Sequence, residues 1–319
     1  MPPPASRRLW PRLAVAALLL AILLLQVDPV ALLHALARPS WAILAAAGGA
    51  ILGGTLIAAF NSYLLINCHQ GIRFRDYLPI YWLAWAAGLL LPGQVGDLVV
   101  ISSLIRRHEM EWHTSLGRTL VDKAISFLVV SGFAFIGLVG LDQAHLFRWP
   151  ALSWVEWGGL GVLLALALAG LAARLPRLLA HHAERPGPLG LIARTLREIG
   201  AVARLHPARM GINLVLTAAR TLIVGGAYWL VFLGTGQAVP PLLETACLAS
   251  ASGLVAYLPI SLNGIGTVEW AGVALFGLRG IPAVDVVSSY LLLRLLVMGI
   301  ALLPAGICYA LLRPATPAS

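Results

Sequence analysis

Hydrophobic residues in this chain gather in long runs rather than alternating at a strand or surface-helix period. Six runs reach the roughly 20 residues needed to cross a bilayer: Leu9–Val27, Trp41–Ile66, Ser115–Leu141, Trp154–Leu175, Arg209–Gly234 and Ala283–Leu312. Two further pairs are shorter, Tyr77–Leu91 with Val95–Ile105 and Leu243–Leu258 with Gly264–Leu278. Each piece is short for a full crossing, so each pair is read as a re-entrant hairpin that returns to the side it entered. The pattern predicts an all-α polytopic membrane protein with about six full spans plus two broken re-entrant hairpins. Residues 1–319 are expected to form a single integral membrane domain.

Polar punctuation distinguishes the two hairpins from the spans. The first carries Leu91-Pro92-Gly93-Gln94-Val95-Gly96-Asp97, and the second carries Leu258-Pro259-Ile260-Ser261 followed by Gly264-Ile265-Gly266-Thr267-Val268-Glu269. Proline removes a backbone donor and glycine loosens the helix, so neither segment can cross as one unbroken helix. Their prolines stand 167 positions apart. The same shift carries Trp41–Ile66 onto the span Arg209–Gly234 and Tyr77–Leu91 onto the second broken segment. Repeat halves of approximately 41–141 and 209–312 are therefore expected. One starts outside and the other inside, which makes them inverted; paired broken helices in inverted halves mark the substrate site of many transporters.

Composition agrees with the pattern. At 60% hydrophobic and 11% charged residues, the chain cannot hide its apolar surface in a soluble core. The net charge of +9 lies between the hydrophobic runs, so it reads as topology and anionic lipid rather than nucleic acid. With the N-terminus inside, fifteen arginines fall on cytoplasmic segments and only Arg38, Arg148 and Arg279 outside. The expected orientation is N-in and C-in, in the cell inner membrane. Arg7, Arg8 and Arg12 before the first run resemble a signal peptide. The nearest small-residue site, Ala35-Leu36-Ala37, lies too far downstream for ordinary cleavage, so an uncleaved span is expected. Within the cytoplasmic basic loop 174–208, Leu189, Ile192, Leu196, Ile199 and Ala203 recur at helical spacing. They predict an amphipathic helix, either on the leaflet or simply solvated. Tryptophans near span ends, Trp41 and Trp82 among them, fit interfacial belts, and Gly48-Gly49 with Gly53-Gly54 fit close helix packing.

Ionisable residues at membrane depth are costly and are the candidates for function. Arg118 and Asp122 stand four apart and are read as a neutralising pair. Arg220 and Arg294 have no partner at helical spacing and must meet a carboxylate or an anionic ligand in the bundle interior. A guanidinium donates in parallel to two oxygens, which suits phosphate, and half-helix N-termini at the glycines add positive potential. The candidate substrate-binding set is Glu269, Arg294, Asp97, Arg220, Gly264, Gly266, Pro92, Gly96 and Asp122. The competing reading makes Glu269–Arg294 an internal salt bridge that only joins two helices. No P-loop, dinucleotide fingerprint or nucleophile elbow is present, and His108 to His113 lacks the spacing of a zinc protease. Catalytic residues, metals and cofactors are therefore not expected.

At these residues the chain resembles a known family. Leu91-Pro92-Gly93 with Gly96-Asp97, Val121-Asp122-Lys123, Leu258-Pro259-Ile260-Ser261, Gly264 to Glu269, and Tyr290 to Arg294 are similar to the flippase-like family. That family includes the transmembrane region of lysylphosphatidylglycerol synthase and a membrane protein associated with hopanoid biosynthesis. The resemblance implies a lipid translocase fold with Glu269 and Arg294 on its most recognisable positions. Asp97 stands where the family usually has glutamate, and Val100 where an arginine commonly follows. The soluble aminoacyl-transfer domain has no counterpart in residues 1–319, so the synthase activity is not expected here. The expected function is a flippase-like transporter for an anionic or polyprenyl-linked lipid. Two alternatives stay open: an intramembrane lipid-modifying or lipid-linked glycosyl or phosphoryl transferase, and a non-transporting partner of lipid-biosynthesis enzymes.

Overall fold

A computed structural model describes residues 5–25, 27–67, 71–89, 110–143, 187–236, 239–258 and 261–312 with isolated positions 98, 101, 102 and 105, and ten α-helices lie among these described residues. They are α1 (Ala5–Leu25), α2 (Pro29–Ala37), α3 (Trp41–Ile66), α4 (Phe74–Gly88), α5 (Trp112–Gln143), α6 (Pro188–Leu205), α7 (Pro207–Gly234), α8 (Leu242–Leu254), α9 (Thr267–Gly277) and α10 (Ala283–Leu312). No strand occurs among the described residues.

Among the described residues, four helices are long and apolar enough to cross a membrane: Trp41–Ile66, Trp112–Leu141, Pro207–Gly234 and Ala283–Cys308. They coincide with four of the six expected spans. The first expected span does not stand alone, because Asp28 and Pro29 end it and start α2 at an angle of 98°. The Asp28 carboxylate caps the new helix by accepting from the Val30 amide at 2.9 Å, and α1 with α2 counts as one further span at most. The expected span Trp154–Leu175 and the first broken segment, including Pro92, Gly96 and Asp97, lie outside the described residues.

α3 and α7 form the central antiparallel pair, with Ala47, Ile51, Ala227 and Val231 packed together beside Leu293 of α10. Of the paired glycines in α3, only Gly54 is tightly packed, since a Cβ there would lie 2.9 Å from Val224 Cγ2. Gly49 and Gly53 face open space. Asn61 and Asn213 lock the same pair by exchanging hydrogen bonds to each other's backbone carbonyls, at 3.1 and 3.3 Å. Trp82 does not face lipid as a belt residue would: it is 6% exposed and its indole donates at 3.2 Å to the Ile300 and Ala301 carbonyls. Pro304 inside α10 supplies no amide hydrogen to the Ile300 carbonyl, and the indole takes that place.

Charged residues settle at the two opposite ends of α3. At its N-terminal end Arg38 donates to Asp285 Oδ1 at 3.0 Å and to the Thr235 carbonyl at 3.3 Å. Beyond its C-terminal end Arg118 donates to the Ile66 carbonyl and to Glu198 of α6, both at 2.7 Å. Arg118 is therefore bound to α6, not paired along its own helix with Asp122. The guanidinium lies where the carbonyl end of α3 is negative, and it is 5% exposed. Helix α6 forms where the periodicity places it, but it docks on α5 through Glu198 and Val202, leaving Ile192 50% exposed. Gly117 permits that approach, because a Cβ would meet Glu198 Cβ at 3.0 Å and the Thr195 carbonyl at 3.1 Å.

Candidate functional site

Helices α8 and α9, of 13 and 11 residues, span only about 20 and 17 Å at 1.5 Å per residue, so neither can cross alone. Glu244 in the first turn of α8 and Arg279 just after α9 form an ion pair. The chain thus leaves this unit where it entered it, and the second broken segment is a helical hairpin. Its core contacts include Leu248 with Phe276, both fully buried.

The turn of the hairpin is built by residues that tolerate left-handed backbone. Asn263 (φ 46°), Gly264 (φ 72°) and Gly266 (φ 82°) all lie there. Asparagine and glycine adopt that conformation at low cost, which explains their place in an otherwise apolar stretch. Glu269 then opens α9. Its Oε2 accepts from the Gly266 amide at 2.8 Å, and its Oε1 accepts from Arg294 Nε at 2.8 Å and Nη2 at 2.6 Å. Both oxygens of this 1% exposed carboxylate are engaged by the protein. Charge at the positive end of α9, a backbone donor and a guanidinium together make the buried anion tolerable. Tyr290 completes the support, with its hydroxyl 2.6 Å from Ser252 Oγ and its ring edge-on to Tyr228 at 5.1 Å. Gly264→Ala is expected to lower the thermal midpoint, because its Cβ would lie 2.6 Å from Val268 Cγ2 and 2.9 Å from Ala256 Cβ on a left-handed residue. Gly53→Ala, facing open space, is expected to leave the midpoint unchanged, and thermal unfolding in detergent checks both.

A cavity of about 350 Å³ lies between α3, α4, α5, α7, α8 and the hairpin turn. Arg220, Asp122 and Lys123 line it with Asn61, Thr217, Tyr228 and Asn263. Glu269 and Arg294 are not on its wall; Tyr228, which is, lies within electrostatic range of both. The nine sequence candidates therefore separate. Glu269, Arg294, Gly264 and Gly266 meet in the hairpin, Arg220 and Asp122 meet in the cavity, and the other three are outside the described residues. Asp122 Oδ1 accepts from Asn213 Nδ2 at 2.8 Å. Arg220 makes no hydrogen bond or ion pair with the described residues. It is the central residue of α7, about 20 Å from either end. Sequence reasoning missed Asn61, Asn213 and Asn263, although uncharged amides inside apolar spans carry the same signal as charges, more weakly. No group of three or more His, Cys, Asp or Glu side chains that could hold a metal occurs among the described residues.

Long apolar helices around a buried ion-paired hairpin and a polar cavity define an α-helical membrane protein. The profile described as lysylphosphatidylglycerol synthase TM region matches residues 9–305, and the chain belongs to that family. This membership makes it a lipid-related membrane protein. No curated protein and no solved structure matches the chain.

Proposed function

We propose that the protein is a flippase-like transporter that moves an anionic or polyprenyl-linked lipid between the leaflets of the cell inner membrane. The observation that carries this reading is Arg220, a cation at the middle of an apolar span, on the wall of a cavity and bound to no described residue. An arginine at that depth is retained against a cost of about 2.5–3.5 kcal/mol by insertion scales, which a phosphate arriving in the cavity offsets. Two cations and one carboxylate among the described lining residues favour an anion. The hairpin, held by Glu269 and Arg294, supplies a rigid body beside that cavity.

An inverted repeat supplies the motion. Shifted by 167, α3 falls on 208–233 and α4 on 241–255, against α7 at Pro207–Gly234 and α8 at Leu242–Leu254. Halves related in this way can rock against each other around a bound headgroup and expose it to either side. Arginines at the Arg118 end of α3 belong to the arginine-rich side, which supports N-in and C-in. In a cysteine-free background, cysteine at the exposed Pro241 is expected to react with an impermeant maleimide from outside, and cysteine at Arg204 only after lysis. The reverse pattern would overturn the orientation.

Purified protein in liposomes is expected to move a fluorescent anionic lipid between leaflets without changing its mass. A gain or loss of headgroup by mass spectrometry would replace this reading with a lipid-modifying enzyme.

A further inference from the structure

Several side chains on the cavity wall hold unused hydrogen-bonding capacity among the described residues, Asn61 Oδ1 and the Tyr228 hydroxyl included, and three of them, on three separate elements, make no hydrogen bond to one another and can act together on one ligand. The three are Arg220 on α7, Ser126 on α5 and Asn263 in the hairpin turn. Arg220 makes a different demand from the other two. Arg220 only donates and carries charge, so it selects an anion. Ser126 and Asn263 both donate and accept, so their natural complement is a group that does the same, which among headgroup substituents is the hydroxyl. An ammonium only donates, and among the described lining residues it would meet Arg220 and Lys123 against one carboxylate, Asp122. The Asp122 carboxylate is also already bound, through Asn213 Nδ2 at 2.8 Å.

We infer that the cavity selects a lipid whose phosphodiester carries a hydroxyl-rich, uncharged headgroup, a polyol or a sugar, with Arg220 on the phosphate and Ser126 and Asn263 on the hydroxyls. This rests on the reading of the cavity as a headgroup site and adds the chemistry of the headgroup. The volume of about 350 Å³ lies at the lower end of the range of small-ligand sites, which suits a headgroup and leaves the acyl chains outside. Position argues for a lipid over a soluble phosphate, since Arg220 lies mid-way along a membrane-spanning helix. Asn263 has a second role in the turn, where its φ of 46° is left-handed, but glycine serves that role as well. The two roles can therefore be separated by mutation.

The test is binding to protein in phosphatidylcholine nanodiscs, read by native mass spectrometry. The probes are phosphatidylinositol, phosphatidylmethanol, phosphatidylethanolamine and the soluble glycerophosphoinositol. Phosphatidylinositol and phosphatidylmethanol share one phosphodiester charge and differ in hydroxyls. Phosphatidylinositol is expected to bind about ten-fold tighter than phosphatidylmethanol, as two hydrogen bonds would provide. Phosphatidylethanolamine is expected to bind more weakly than either, and glycerophosphoinositol more weakly than its parent lipid. Ser126→Ala with Asn263→Gly should bring the ratio of the first two close to one, with the thermal midpoint kept; if the pair of changes unfolds the protein, each single change should lower the ratio. Equal binding of the two lipids by the unaltered protein, a preference that survives both changes, or no binding of either lipid overturns the inference. Glycerophosphoinositol binding as tightly as the lipid overturns its lipid source. Selective binding without movement between leaflets would leave this inference standing and remove the transport reading.

Discussion

Replacing Arg294 with alanine is expected to cost the protein most of its stability as well as its function. The Glu269 carboxylate beneath it is 1% exposed and sits at the first turn of α9, so losing the guanidinium leaves a buried charge with only the Gly266 amide and the helix dipole to hold it. Removing one partner of a buried pair costs about 3–5 kcal/mol. Glu269→Ala loses more contacts, because it frees the Gly266 amide and strands Arg294 together. The informative variant is Glu269→Gln with Arg294→Gln. A glutamine at 269 still has an oxygen for the Gly266 amide and an amide to meet glutamine at 294, and neutralising both ends of a buried pair is often tolerated. Folded protein without transport would mean that the charges themselves serve the substrate. Folded protein with full transport would reduce the pair to a brace for the hairpin. Thermal unfolding and the liposome assay, run on the same preparations, separate these outcomes.

Arg220→Gln is expected to behave in the opposite way, abolishing lipid movement while leaving the thermal midpoint unchanged or raised. No described residue bonds to the guanidinium, so its removal breaks no hydrogen bond or ion pair with the described residues and takes a charge out of the middle of a span. A bidentate contact to phosphate is lost with it, and charge-assisted bonds of that kind contribute about 1.5–3 kcal/mol each, so transport should fall at least ten-fold. Arg220→Lys keeps the charge but not the planar fork and is expected to retain partial activity. A large fall in stability for Arg220→Gln would show that the residue is structural. Unchanged transport would remove the cavity from the mechanism.

The contrast between these arginines was only partly legible in the sequence. Both stand in apolar runs without a partner at helical spacing, and that lack raised an internal Glu269–Arg294 salt bridge as one of two readings. Spacing could not tell that Glu269 would spend its second oxygen on Gly266, nor that the pair would lie behind Tyr228 rather than on the cavity wall. Arg118 is the plainest failure. Four residues separate it from Asp122, yet it donates to Glu198, eighty positions along the chain, and to the carbonyl end of α3. Asp122 accepts from Asn213. Trp82 likewise stands near a span end in the sequence, yet its indole donates to backbone carbonyls beside Pro304 inside the bundle.

Hydrophobic length, glycine and proline act within a few residues of where they stand, so the long helices, the broken hairpin and the membrane as solvent were written in the amino-acid order. Polar groups at membrane depth have no water to satisfy them and take whichever donor or acceptor the packed helices bring near. That choice is made across tens to hundreds of residues by helix packing, at contacts such as Gly54 against Val224 and Gly117 against Glu198. Which arginine is braced and which is left facing a cavity was therefore decided by tertiary structure alone.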